Sequence, residues 1–404
     1  MDPILAEWGG LILRWTHIIT GIAWIGSSFY FMHLDAAIRA IPEIPAGKGG
    51  EAWEVHGGGF YQVRKYLVAP EKLPDELMWH KWESYSTWVS GFFLLIWVYY
   101  LSSDLYLIDP AVRALTPLQA AGIGIGGLVL GWVVYNFLVS SKLADNPVLL
   151  AAVGFAFIMG MAYFFQMMFS GRGALIHTGA LMATIMTGNV AMNIIPNTKK
   201  VIADLIAGRE PNPNYGKQAK TRSTHNNYLT LPVIFLMISG HYPLTFTSPH
   251  AWVIVGLVLV AGAIVRYFYN QRHAGKGNKW WTWVVAALAL IAAAFVSMMS
   301  NPIGRARLGL AALDAPVMVA SAHVPADVSD VIMSRCSMCH AAEPVWAGLA
   351  SPPKGILLDS PEQIARNAPL IMEQAVMTHA MPPNNITEIT KDERHLLAMW
   401  LTRR

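Results

Sequence analysis

Apolar residues run through the first three-quarters of the chain in long blocks, with polar residues gathered between them. Eight blocks are long enough to cross a hydrocarbon core, which takes roughly 20 helical residues. They lie near 10–33, 84–103, 119–140, 148–168, 174–195, 227–241, 250–269 and 280–299. The sixth is short and holds Pro232. The first lacks a basic leader and a small-residue cleavage site, so it reads as a span and not as a cleavable signal. Loop 34–83 is rich in Gly, Pro and aromatics, and its H-G-G-G-F-Y stretch suits either a turn or a pocket lining. Loop 196–226 carries a turn-rich P-N-P-N-Y-G and a short V-I-A-D-L-I-A-G helix. No repeat of fixed period is present.

Composition agrees with this pattern. Of 404 residues, 54% are hydrophobic and 13% charged, against about 25% charged in soluble chains. A wholly soluble enzyme, a disordered chain and a disulfide scaffold are excluded. A net charge of +4 argues for no nucleic-acid partner. The basic residues of the expected loops divide sixteen to two in favour of the odd-numbered loops, with only Arg113 and Arg172 in the even ones. The positive-inside rule then puts the odd loops in the cytoplasm and both chain ends outside. The expected organisation is a membrane domain over 1–300, a linker over 301–325 and a small translocated domain over 326–404. The fold class is all-α: a polytopic helix bundle of about eight spans with a C-terminal c-type cytochrome domain.

The tail carries the most specific chemistry. An amphipathic segment, D-V-S-D-V-I-M-S-R, runs into C-S-M-C-H, which holds the chain's two cysteines, Cys336 and Cys339, followed at once by His340. C-x-x-C-H is the attachment signature of c-type haem. Two thiols add to the two vinyl groups, and the adjacent imidazole binds the iron from one face. The sixth ligand is expected downstream. Met381, in H-A-M-P-P-N-N, is the first choice, with Met377 and His379 as rivals. A capped helix closes the chain, with Thr390 and Glu393 at its start and Leu396, Leu397 and Trp400 on its apolar face. A thioredoxin-type pair would want a βαβ setting, and zinc would want a second Cys or His pair.

Ionisable residues inside spans are functional candidates by default. His17, Trp24 and Ser28 share a face of the first span, with Arg14 one turn away. Two layers emerge. The outer holds Arg14, His17, Arg172, His177, His241 and His250. The inner holds His33, His80, Glu83, Asn193, His225, Asn226 and Asn227, with Asn189 on the face of Asn193. The plainer reading is that such residues cap helix ends or sit among headgroups, and it is strongest for His250 and His273. A buried His17 can bind a haem b, accept a substrate proton or bond a neighbouring helix, and all three stay open.

The strings M-D-P-I-L-A-E-W-G-G-L-I-L-R-W-T-H, G-I-A-W-I-G-S-S-F-Y-F and T-H-N-N-Y-L-T-L-P-V-I-F-L-M-I-S-G-H-Y-P, joined to the C-x-x-C-H tail, resemble the membrane-bound, cytochrome c-linked urate oxidases of bacterial purine breakdown. H-I-I-T-G-I-A-W-I-G also looks, over a short stretch, like first helices whose His binds haem b. The family resemblance implies oxidation of urate to 5-hydroxyisourate without hydrogen peroxide. Electrons would pass to one covalent haem c and on to a terminal oxidase or soluble cytochrome c. It also implies an inner-membrane location with the haem domain in the periplasm. Cys336 and Cys339 carry over as thioether links, and His340 and Met381 as axial ligands. No urate-binding set carries over.

Geometry sets a condition on that activity. A core about 30 Å thick is too wide for one efficient electron transfer from a cytoplasmic site to an outer haem. Urate therefore reacts near the outer layer, on Arg14, His17, His177 and His241, or a haem b on His17 bridges the gap. The alternatives to an enzyme are an anchor or transporter serving a partner dehydrogenase. A dehydrogenase for another substrate, such as a quinol, is a third reading.

Overall fold

The apolar blocks become long helices in the computed structural model, which describes residues 2–44, 49–66, 70, 73–300, 304–305, 308–310, 324–347, 349 and 351–402. Most of the expected linker, together with Lys48 and Lys72, lies outside the described residues.

Helix α1 spans Pro3–Ala37. A hairpin, β1 (Gly49–His56) and β2 (Gly59–Tyr66), follows. Then come α2 (Trp82–Leu95, continued by a π turn, Ile96–Tyr100), α3 (Ser103–Tyr106), α4 (Pro117–Ser140) and α5 (Pro147–Met168). Helix α6 (Gly171–Asn189) runs through a π turn, Val190–Ile194, into α7 (Ile195–Ile206). Helices α8 (Pro213–Ser239), α9 (Pro243–Phe246), α10 (Ala251–His273) and α11 (Trp281–Met299) complete the bundle. The starts follow the rule that a short polar side chain caps the free amides and Pro fits the first turn. Thr116 and Gln119 form a capping box on α4, and Asn146 caps α5 ahead of Pro147.

Five helical stretches are long and apolar enough to cross a membrane: Pro117–Ser140, Pro147–Met168, Gly171–Ile206, Ala251–His273 and Trp281–Met299. The other three expected spans fall on α1, on α2 with its π turn, and on α8. These are helical but more polar. The expected 196–226 loop is corrected by the structure. Helix α7 prolongs α6, and α8 begins at Pro213, so the chain reverses within a few residues. Arg222, counted with the loop cations, is a buried residue of α8.

The hairpin corrects the all-α expectation. H-G-G-G-F-Y is its turn. Gly57 and Gly58 both have positive φ (59° and 80°), which a two-residue turn joining twisted strands requires. Arg39 and Glu51 exchange backbone hydrogen bonds, which ties β1 to the end of α1. Asp35 accepts from both Lys65 and Lys220, tying β2 and α8 to the same end.

The tail forms α12 (Ala326–Arg335), α13 (Ser337–His340), α14 (Pro361–Arg366), α15 (Ala368–Ile371) and α16 (Lys391–Thr402). Its own apolar cluster includes Val328, Ile332, Ile364, Leu397 and Trp400. It rests on one end of the bundle. Ala380 joins the bundle cluster of Leu107, Phe165, Phe169 and Phe246, and Asn384 donates to the Asp104 carbonyl. The bundle thus has a tail end and, opposite, a hairpin end.

At α16, Thr390 Oγ1 accepts from the Glu393 amide (3.1 Å) and Glu393 Oε2 accepts from the Thr390 amide (2.7 Å). Glu393 also pairs with Arg335 of α12 at 3.0 Å. The Thr390 amide first, and Arg335 after it, hold the Glu393 carboxyl below the usual carboxylate range. A lowered folded-state pKa contributes stability that is present at neutral pH and lost as pH falls through it. Thr390→Ala and Glu393→Gln should each cost about 1 kcal/mol of local stability. Hydrogen exchange of 391–402 at pH 7 should speed up accordingly, and the wild-type chain should approach the Glu393→Gln rates as the medium is acidified.

Candidate functional site

The outer-layer residues separate into three settings. His177 on α6 is fully enclosed. Its Nδ1 donates to the Gly173 carbonyl (2.8 Å) and its Nε2 accepts from the Tyr100 hydroxyl (3.1 Å). Phe165, Phe169 and Tyr99 pack around the ring. A Cβ on Gly124 would sit 2.7 Å from Nε2, so α4 can approach only because that position is glycine. Neither ring nitrogen is left for a substrate, which removes His177 from the expected catalytic set and makes it a structural residue.

His17 lies against Gly91, where a Cβ would come within 2.7 Å of the ring. Its Nδ1 donates to the Thr87 carbonyl (3.0 Å), and Ser90 Oγ is 3.3 Å away. That bond fixes the tautomer with the Nε2 lone pair free. His17 sits below the tail end, on the α1–α2 seam. His250 merely precedes α10 and is exposed.

Arg14, Arg172 and His241 do come together. Arg14 and Arg172 are within electrostatic reach of both Tyr99 and His241, and Lys354 of the tail reaches His241 as well. The Arg172 guanidinium lies over the rings of Phe246 (5.0 Å) and Tyr106 (5.7 Å). Its Nε is buried and has no hydrogen-bond partner. A cation with a spare donor can take an anion through a charge-assisted hydrogen bond. Directly above is the tail, whose Ser351 bonds Glu7 and whose Asn384 bonds the α3 backbone. Sequence reasoning missed Tyr106, Phe246 and Lys354, because only folding brings 106, 172, 246 and 354 to one place.

The tail residues fit a covalently held haem. Cys336, Cys339 and His340 share one helical turn, with the amides of Cys339 and His340 donating to the Cys336 carbonyl. His340 Nδ1 donates to the Ile356 carbonyl (2.9 Å), a bond that orients the ring and leaves the Nε2 lone pair free. Burial pushes the His340 pKa down, which favours the neutral ring that a metal needs. Burial pushes the Cys336 thiol up to about 12, the reverse of an activated redox cysteine. Among the described residues no group of three or more His, Cys, Asp or Glu is placed to hold a metal ion, so a tetrahedral zinc site lacks ligands. Met381 is half-buried. Its amide donates to the Gln374 carbonyl, and its carbonyl accepts from Arg394 at 2.9 Å. His379 faces solvent, and Met377 lines a cleft between tail and bundle.

At the hairpin end the inner-layer residues form separate groups. Arg222, 3% exposed, donates to Asn189 (3.0 Å), Asn136 (2.7 Å) and Ser140 (3.2 Å). Asn189 in turn donates to Asn226 and to Tyr135, whose hydroxyl donates to His225. His80 meets Glu83 at 2.9 Å, and His33 stacks edge-on against His273. Asn193 Oδ1 and Glu83 Oε2 are buried without partners.

The fold and these sites define a mostly helical protein with apolar helices compatible with a membrane and charged clusters in its interior. The model of the urate oxidase N-terminal family matches residues 3–297, and the chain belongs to that family. The family points to an oxidoreductase with a urate-related function. No curated protein and no solved structure matches the chain.

If His177 is structural, Tyr100→Phe should destabilise the bundle by about 1–3 kcal/mol, the cost of an unpaired buried polar atom. The thermal midpoint should fall, while turnover of the folded fraction should stay near wild type.

Proposed function

We propose that the chain oxidises urate to 5-hydroxyisourate at the tail end of the bundle and passes the electrons into the C-terminal domain. The observation that carries this reading is the unpartnered Arg172 guanidinium, set on two aromatic rings directly beneath the docked C-x-x-C-H domain. With the tail end outside, as the loop charges favour, donor and acceptor share one face of the membrane. The 30 Å gap then does not arise, and no haem b on His17 is needed.

Urate loses two electrons and two protons, and water adds at C5. Arg172 and Arg14 hold the anion, Tyr106 and Phe246 present flat faces, and Lys354 closes the site from the tail. His241 takes a proton, and His17, with Nε2 free, is the deeper acceptor. A haem c attached through Cys336 and Cys339 and held by His340 and Met381 would supply a one-electron acceptor, used twice per urate. From there electrons go to a soluble cytochrome c or a terminal oxidase in a bacterial inner membrane. Peroxide is not a product, because oxygen takes no part at the site.

Purified full-length protein from a host that attaches haem should show urate-dependent reduction of its visible haem bands without oxygen or any partner protein. No reduction would overturn the enzyme reading in favour of a relay for a separate dehydrogenase. Acid-extractable haem in the same preparation would restore the haem b alternative.

Arg172→Gln should lower kcat/KM for urate by roughly 10–100-fold, the loss of one charged hydrogen bond, with the haem spectrum intact. Met381→Ala should do the opposite, changing the spectrum and potential while urate binding persists.

A further inference from the structure

At the hairpin end three helices converge on a second arginine. Helix α10 brings Arg266, Asn270 and His273 at helical spacing, α1 brings Phe29 and His33, and α8 brings Asn227. Arg266 is 6% exposed and Asn227 fully buried. The guanidinium carbon lies 4.0 Å from the centre of the Phe29 ring. Asn227 accepts from Arg266 Nε at 3.3 Å and from Asn270 at 3.1 Å. With the Asn227 amide turned about, its oxygen takes both Nε (3.2 Å) and Nη2 (2.6 Å). Either way Nη1 has no partner among the described residues.

Arg222, nearby on α8, is different. Both of its Nη atoms bond side chains of the bundle, two amides and a hydroxyl. Among the described residues the ion pairs at the hairpin end are Asp35 with Lys65 and Lys220, Glu51 with Arg64, His80 with Glu83, and Asp204 with Arg209. None engages Arg266, whose ionisable neighbours are the hydroxyls of Tyr228 and Tyr269 and the His273 ring. Among the described residues this largely buried cation has no carboxylate partner, and its unbonded Nη1 stays accessible, as the edge of an anion site would be.

We infer that Arg266, Phe29, Asn227 and Asn270 form a second anion site, for a planar heterocyclic anion of the urate class. The free Nη1 edge binds the charge, the Phe29 ring holds the guanidinium in position from its face, and the two amides match a rim of alternating donors and acceptors. The His33–His273 pair, rings 4.2 Å apart, stands one turn further toward the hairpin, at the mouth. A site at the end opposite the tail lets the bundle collect substrate from the side away from the haem. The inference rests on the urate reading and adds a receiving site to it.

The test uses the full-length, haem-loaded protein with its haem reduced by dithionite, so that no turnover occurs, and equilibrium dialysis against radiolabelled urate. Two equivalents should bind. Arg266→Gln should remove one and Arg172→Gln the other. Phe29→Leu should weaken the Arg266 equivalent about tenfold, which keeps the test decisive if Arg266→Gln folds poorly. One equivalent that Arg172→Gln abolishes and neither Arg266→Gln nor Phe29→Leu alters would overturn the second site and leave the proposed function standing. So would stable occupancy of the Arg266 site by lipid phosphate with no change in urate binding. No bound urate at all would overturn both.

Discussion

A guanidinium ion inside an apolar bundle cannot discard its proton and cannot reach bulk water. Its surroundings must answer its charge and its five donors. Three arginines meet that demand to different degrees. Arg222 bonds Asn189, Asn136 and Ser140 through both Nη atoms, with Trp132 and Tyr135 rings at 5.9 and 5.4 Å. Arg266 is half-satisfied by one amide and one ring. Arg172 rests on two rings with Nε unanswered. The three differ in how many donors their neighbours answer, and the two less answered ones are where we propose that a ligand binds.

Saturation explains the histidines in the same terms. Lipid gives helices little hydrophobic reason to associate, so close packing and interhelical hydrogen bonds hold them. His177 does this fully, clasping α2 through Tyr100 while Gly124 lets α4 close over it. His17 does it with one nitrogen and keeps the other. The number of free ring nitrogens, and not depth in the bundle, decides which histidine can serve chemistry.

Much of this was legible in the sequence. Helix positions follow from apolar block length, and α16 from its Thr390–Glu393 box. C-x-x-C-H placed the tail residues because two thiols and an imidazole within five positions leave little freedom. Contacts between distant segments were not legible. Nothing in the string L-S-S-D-L-Y marks Tyr106 as a partner of Arg172, and Arg222 passed for a loop cation because the P-N-P-N-Y-G turn masked the start of α8. The hairpin was missed because three successive glycines serve a pocket rim and a two-residue turn equally well. Only the pairing of β1 with β2, closing at His56 and Gly59, selects the turn.

The docked tail ties these strands together. Ala380, the residue before Met381, packs into the bundle core, and the Met381 carbonyl is held by Arg394, which also donates to the Ala375 carbonyl. The backbone of this loop is therefore fixed both to the tail's own core and to the bundle roof over Arg172. A freely tethered electron carrier would need no such double anchorage. It has a physical purpose if the loop must stay at one distance from a group in the roof, because electron transfer weakens steeply with separation. The charges agree with the packing. Lys354 on the tail adds a third cation to Arg14 and Arg172 around His241, a juxtaposition of like charges that costs free energy and that an anion lying between them would relieve.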